Sequence, residues 1–179
     1  FDGRVDGSFG GWRRRRAELK AAIENYEIGP KPDLSDVDET ASYANDTLKV
    51  AITRKSNGRS LTLTSPVFLP SGSGPGPFPA VIGMTGFCFG PCTGTGSLPT
   101  DIFISRDIAR IPFFHNQVTT VSFRDTSKAG DPYFYLYPEY SVPGNIGQYS
   151  AWAWGVSRLI DGMEIAARQS VHPLPIDFK

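Results

Sequence analysis

The chain has 179 residues, room for one ordinary domain and hardly for two. Forty per cent of them are hydrophobic and 20% charged, as in a soluble globular protein, and no apolar run approaches the ~18 residues of a membrane span. Lys+Arg and Asp+Glu stand at 18 each, and this zero net charge argues against a nucleic-acid or membrane-surface partner, which calls for a basic excess.

Residues 12–27 are predicted to form a helix, because Trp12, Leu19, Ile23 and Tyr26 make one apolar stripe. Ser8 or the pair Gly10 and Gly11 opens it, and Gly29 followed by Pro30 closes it. Arg13, Arg14, Arg15 and Arg16 point around most of the circumference and so make no basic face. With Arg14/Glu18 and Lys20/Glu24 at i,i+4, a solvated helix with internal ion pairs outweighs a nucleic-acid site. Residues 30–46 hold two prolines and many acidic and small polar side chains, and read as a surface connector.

Residues 47–54 alternate Leu48, Val50 and Ile52 with Lys49, Ala51 and Thr53, which predicts a half-buried strand. Ser56-Asn57-Gly58 is turn chemistry, and residues 59–69 resume the alternation with Leu61, Leu63 and Val67, so the pair reads as a β-hairpin. After a Gly/Pro/Ser loop, the nearly continuous apolar run 78–84 predicts a strand covered on both faces, as in a parallel sheet. Residues 85–99 are rich in glycine and contain Cys88 and Cys92. A helix is predicted over 101–110 with Thr100 as its cap, a strand over 117–123, and a long loop over 128–147. Residues 150–167 form the clearest helix, with Ser150 as N-cap and Trp152, Val156, Leu159, Ile160 and Met163 on its buried face. The tail passes Pro173 and Pro175 and reads as the approach to a strand. The fold class is α/β, with a sheet that starts as an antiparallel hairpin and continues parallel.

Catalytic chemistry is sparse. A serine nucleophile on a strand-to-helix elbow needs G-x-S-x-G. Gly155-Val156-Ser157 comes nearest, but it lies inside the strong helix and Leu159 fills the last position. His115 at a strand edge and His172 in a loop both read as structural. Cys88 and Cys92 are two thiols where a structural zinc site needs four ligands, so no metal is assigned. A local disulfide is the favoured reading if the protein is secreted, with two free thiols as the alternative. No Walker motif or dinucleotide fingerprint appears, since Gly94-Thr95-Gly96 lacks the third glycine. A Gly-rich loop after a buried strand is nevertheless where α/β proteins bind ligands.

Three segments carry a family resemblance. Trp12-Arg13-Arg14-Arg15-Arg16-Ala17-Glu18 with Glu24-Asn25-Tyr26-Glu27-Ile28-Gly29 is similar to the W-x-x-R-R-x-E and Y-E-x-G pattern of the glucuronoyl esterases, carbohydrate esterase family 15. Pro77-Phe78-Pro79-Ala80-Val81-Ile82-Gly83 resembles that family's central strand. Ala151-Trp152-Ala153-Trp154-Gly155-Val156-Ser157-Arg158 resembles its A-W-A-W-G-x-S-R helix, the sharpest of the three. The resemblance covers nearly the whole chain and looks closer to the bacterial, actinobacterial-type members, because the fungal pattern has a Cys in the first helix motif where this chain has Arg.

The resemblance implies a secreted α/β-hydrolase, a three-layer αβα sandwich. It would cleave the ester between 4-O-methyl-glucuronic acid of xylan and lignin alcohols through a Ser-His-acid triad, with no cofactor. Its partner would be a glucuronoxylan or lignin–carbohydrate ester. The family's nucleophile lies in a G-C-S-x-x-G-K type motif on the strand after the A-W-A-W-G helix, which here would begin just beyond Lys179. Residues 1–179 are therefore expected to be the N-terminal part of a single α/β-hydrolase domain that continues past Lys179. No catalytic residue is assigned within them, and the chain alone is expected to be inactive without the missing C-terminal part. The loop after the central strand corresponds to the family's cleft, which makes Phe87 and Phe89 candidate lining residues, with core or loop packing an equal alternative. Two other readings stay open at this point: an esterase for acetyl or short acyl groups, and a non-enzymatic carbohydrate-binding or scaffold fragment. The esterase reading predicts exposed apolar surface on the helix 150–167, and the scaffold reading a covered sheet.

Overall fold

A computed structural model describes residues 8–25, 29, 31–72, 74–85, 100–120, 130–141 and 147–178. The first helix, α1 (Phe9–Ile23), opens on Ser8, whose Oγ accepts the Gly11 N–H at 3.0 Å. Strands β1 (Val37–Ala44), β2 (Thr47–Arg54) and β3 (Ser60–Pro66) form an antiparallel meander. Strand β4 (Ala80–Thr85) lies parallel to β5 (Ala109–Phe114), and the short helix α2 (Thr100–Ile104) lies between them in the chain. Helix α3 (Pro132–Leu136) and the 20-residue helix α4 (Gln148–Ala167) follow.

Two bridges join these pieces. Phe68, just past β3, exchanges both backbone hydrogen bonds with Arg110 (2.9 and 3.0 Å), while Ala109 donates to Pro79 beside β4 (2.8 Å). Neighbouring residues of β5 thus bond to opposite sides, which gives the order β1-β2-β3-β5-β4. On the other side of β4, Phe78 donates to Pro175 and accepts from Asp177, so the tail enters parallel to it at Ile176. Helix α4 therefore runs from the carboxyl end of the parallel strands back to their amino end. This is the crossover of an α/β sheet, antiparallel at its start and parallel after it.

Helix α4 packs across both parts of the sheet by means of glycines. A Cβ on Gly155 would lie 2.7 Å from both Phe113 and Val118 side-chain atoms, and one on Gly162 would collide with Val50 of β2. Seven residues are two helical turns, so the two glycines share one face. Trp152, Leu159 and Met163 are buried as their spacing predicts, and Val156 is half-buried. Ile160 is instead 44% exposed, because Gly155, Gly162 and the ion-paired Arg158 take the core-facing positions. Tyr149 and Ile160 are the large apolar residues that α4 leaves exposed. The helix also starts at Gln148 after Gly147 and not at a Ser150 cap.

Several sequence-based expectations need correction. The supposed connector 30–46 contains a 3-10 turn, Leu34–Asp36, capped by Asp33, and the whole of β1, which pairs with β2 from Val37↔Arg54 to Ala44↔Thr47. Its outer face of Asp38, Thr40, Ser42 and Ala44 hid the alternation, and Asn45 and Asp46, both at positive φ (49° and 53°), make the tight hairpin turn. The helix 101–110 stops at Ile104, Asp107 turns at φ 57°, and β5 takes over the last two residues expected to be helical; of the predicted strand 117–123, Gln117 closes a 3-10 turn and 121–123 lie outside the described residues. Strand β5 accommodates Pro112 because its nitrogen faces the β3 side, where the ladder has lapsed after Arg110. The loop 128–147 holds α3, with Tyr133, Phe134 and Leu136 buried. In α1 the exposed Trp12 (55%), Leu19 and Ile23 face outward, and the i,i+3 pair Arg15–Glu18 (3.1 Å) takes the place of Arg14/Glu18, while Lys20–Glu24 (3.6 Å) forms as predicted. Strand β4 is covered less completely than its apolar run suggests, since Met84 is exposed.

Candidate functional site at the carboxyl end of the parallel strands

Strands β4 and β5 end side by side at Thr85 and Phe114. In sheets with crossover helices, ligands bind beyond these carboxyl ends, where strand order changes direction. The candidate cleft residues Phe87 and Phe89, and the Cys88/Cys92 pair, follow Thr85 in the chain and lie outside the described residues.

The described rim is firmly built. Buried Thr85 donates its hydroxyl to the Phe113 carbonyl at 3.3 Å, tying the two strand ends together. The chain then turns through a 3-10 segment, His115–Gln117. There the Gln117 amide accepts from Thr64 N (2.6 Å) and donates to Thr64 O (2.7 Å), imitating one more strand pairing with β3. This clamp sets His115 against the first turns of α4, where its ring centroid lies 4.8 Å from that of Trp152. The Trp152 Nε1–H donates to Thr119 Oγ1 (2.8 Å), so a buried indole has its partner. One turn earlier, Tyr149 meets Trp152 edge to face at 4.9 Å and stays 71% exposed. Next to it in the chain, Gln148 donates to the Thr120 carbonyl at 2.7 Å, and Thr120 donates its N–H and hydroxyl to Asp131.

Behind the rim lies a buried polar layer. Arg158 donates to Glu39 of β1 at 2.7 Å and pairs with Asp161 at 2.5 Å, with only 5% of the Arg158 side chain and 9% of the Glu39 side chain exposed. Burial raises the Glu39 carboxyl above its ordinary range, against the pull of Arg158. Tyr133, Tyr137 and Trp154 stack against one another with centroids 5.2 to 5.7 Å apart, and burial pushes the Tyr137 hydroxyl up to about 12. Arg54 lies over the Tyr137 ring and binds Asp36 (2.7 Å) and Glu139 (2.8 Å). Together with Asn57 and Arg59, which donate to the Leu136 and Tyr135 carbonyls, it fastens the end of α3 to the β2–β3 turn.

The catalytic residue types noted in the sequence are not gathered into one site. His115 sits at the carboxyl edge, whereas His172, at φ 51°, lies on the exposed connection at the amino edge. Ser157 is a mid-α4 residue whose Oγ lies 3.5 Å from Arg158 Nη2. What the described residues offer is a rigid wall: an exposed aromatic ring, a buried histidine–tryptophan stack and a carboxylate held by Thr120. Sequence reasoning missed Tyr149, Asp131 and the Arg158–Glu39 pair as site residues. Asp131-Pro132 was a legible signal, because a cap residue followed by Pro at the first helical position marks a helix start.

Comparison with known proteins bears on this wall. A family model described as "Glucuronyl esterase, fungi" matches residues 52–176. The 4-O-methyl-glucuronoyl methylesterase of Hypocrea jecorina is 34% identical over 151 residues, covering 84% of this chain. The chain spans only 28% of that relative's length. The solved carbohydrate esterase family 15 glucuronoyl esterase from Caldicellulosiruptor kristjansonii superposes with a TM-score of 0.72 at 29% identity, covering 99% of this chain and 45% of its own. A glucuronoyl esterase mutant from Sporotrichum thermophile, solved in complex with methyl 4-O-methyl-β-D-glucopyranuronate, is 28% identical with a TM-score of 0.65, covering 95% of this chain and 39% of its own. Fungal and bacterial relatives both match, so the bacterial-type resemblance is not singled out.

Proposed function

The chain belongs to the glucuronoyl esterase family, and from that premise we propose that it is part of a secreted, serine-type carboxylic ester hydrolase. Its substrate is the ester joining 4-O-methyl-glucuronic acid of xylan to lignin alcohols. The observation that carries this reading is the family match over residues 52–176, which runs from β2 through α4 to the tail strand. The named ligand of the Sporotrichum thermophile relative, a methyl glucuronate ester, favours the uronate over an acetyl or short-acyl ester.

The mechanism has two halves. A serine attacks the uronate carbonyl while a histidine takes its proton, and the alcohol leaves with that proton. Water activated by the same histidine then hydrolyses the acyl-enzyme. The reading assigns the triad to the part of the family's length that residues 1–179 do not span. These residues supply the first part of the α/β-hydrolase sheet and one wall of the cleft. Phe87 and Phe89, directly after β4, line that cleft, and Cys88 and Cys92 staple its loop as a disulfide.

The test is hydrolysis of methyl 4-O-methyl-D-glucuronate by the full-length polypeptide, with release of acid and methanol. The 179-residue chain alone hydrolyses none, since binding without nucleophile and base gives no acyl transfer. A full-length protein that leaves this ester intact and cleaves an acetyl ester would move the assignment to the short-acyl reading.

A further inference from the structure

We propose that Tyr149 is the residue on which this esterase seats the alcohol half of its ester when that alcohol is aromatic; the inference rests on the esterase reading of the site. Three observations converge on it. The first is place. Helix α4 runs from the carboxyl to the amino end of the parallel strands, so its first turn, with Tyr149, stands at the edge where α/β sheets bind ligands.

The second is exposure combined with rigidity. Within residues 1–179 Tyr149 is 71% exposed, yet its ring rests on Trp152, 4.9 Å away. Trp152 is itself fixed by its bond to Thr119 and its stack on His115. A flat ring held open on a buried support loses little entropy when another ring settles on it.

The third concerns Gln148, next to Tyr149 in the chain, and the groups bonded to it. Asp131 already takes both donors of Thr120, and the Gln148 amide is bound to the Thr120 carbonyl. Among the described residues, these polar groups are paired with one another. A sugar hydroxyl laid on this surface would compete with those bonds, whereas an arene asks only for ring contact.

The test compares benzyl and methyl D-glucuronate as substrates of the full-length protein carrying Tyr149→Ala, Tyr149→Phe or Val171→Ala. Val171 is exposed at the opposite edge of the sheet and serves as the control. Expected for Tyr149→Ala is a fall of about five- to tenfold in the benzyl-to-methyl ratio of kcat/KM, carried by KM for the benzyl ester, the scale of one lost aromatic pair. Tyr149→Phe retains the ratio within about twofold, because the ring and not the hydroxyl makes the contact. Val171→Ala leaves it unchanged. A Tyr149→Ala ratio equal to wild type overturns the inference and leaves the esterase reading standing. Wild-type protein inert toward both esters overturns the esterase reading, and this inference with it.

Discussion

Gly162 of α4 lies directly on Val50 of β2: a Cβ at the glycine would come within 2.7 Å of Val50 Cγ1 and closer still to Cγ2. Val50 is fully buried at the centre of the meander, so neither side has room to yield. This contact sets how near the helix approaches the sheet, and with it where the first turn of α4 stands at the carboxyl edge.

Gly162→Ala therefore costs stability although alanine is the better helix former. With an approach this close to a fully buried side chain, overpacking lies toward the upper end of its usual range of about 1–3 kcal/mol and exceeds the gain of ~1 kcal/mol from helix propensity. Gly130, where a Cβ would meet nothing within 4 Å, is the control, and its alanine variant stays within about 0.5 kcal/mol of wild type. Urea unfolding of both variants decides it. Equal midpoints would mean that α4 can lift off β2 without loss.

The buried pair of Arg158 and Glu39 gives a pH-dependent prediction. Glu39 is raised above the ordinary carboxylate range by burial, so the folded protein takes up this proton at a higher pH than the unfolded chain. Its contribution to stability is therefore fully present below the unfolded value of about 4.3 and is lost as pH rises through the folded value. Arg158→Met strands the carboxylate and costs about 3–5 kcal/mol at pH 7, a loss that shrinks at acid pH as Glu39 protonates. Glu39→Gln is much milder, because Arg158 keeps Asp161, and it removes this group's pH slope. Unfolding curves at the two pH values test the pair; an Arg158→Met deficit independent of pH would contradict the assignment to Glu39.

Arg54 makes a third case. Its guanidinium reaches Asp36, Glu139 and the Leu136 carbonyl while covering the Tyr137 ring. Lysine carries the charge but cannot supply a planar fork and a stacking face at once. Arg54→Lys is expected to speed hydrogen exchange of the amides in 133–140 by about tenfold or more, with β1 and β2 unchanged. Unaltered exchange would show that Asn57 and Arg59 hold α3 without it.

The sequence reads well where one periodicity rules a segment. β2 was legible to the residue because Leu48, Val50 and Ile52 alternate with outward side chains and a Ser-Asn-Gly turn follows. Helix α4 was legible because its apolar positions recur at helical spacing over most of its length. The tail was legible as a strand approach, and Ile176 indeed lies beside Phe78. The candidate site was much less legible. Tyr149 has no local signal that separates it from any other tyrosine, and the Arg158–Glu39 pair joins residues 119 positions apart.

By itself, then, the sequence determined the α/β class, the hairpin, the long helix and the family motifs, since these depend on patterns within a few turns or a few strand residues. The tertiary structure decided the rest. It made β1 a strand because β2 supplies its hydrogen bonds, and it admitted Pro112 into β5 because no ladder bond is asked of that nitrogen. It buried Arg158 because Glu39 and Asp161 converge on it. It left Trp12, Leu19 and Ile23 of α1 and the ring of Tyr149 facing outward, because an apolar side chain is buried only where a surface exists to receive it.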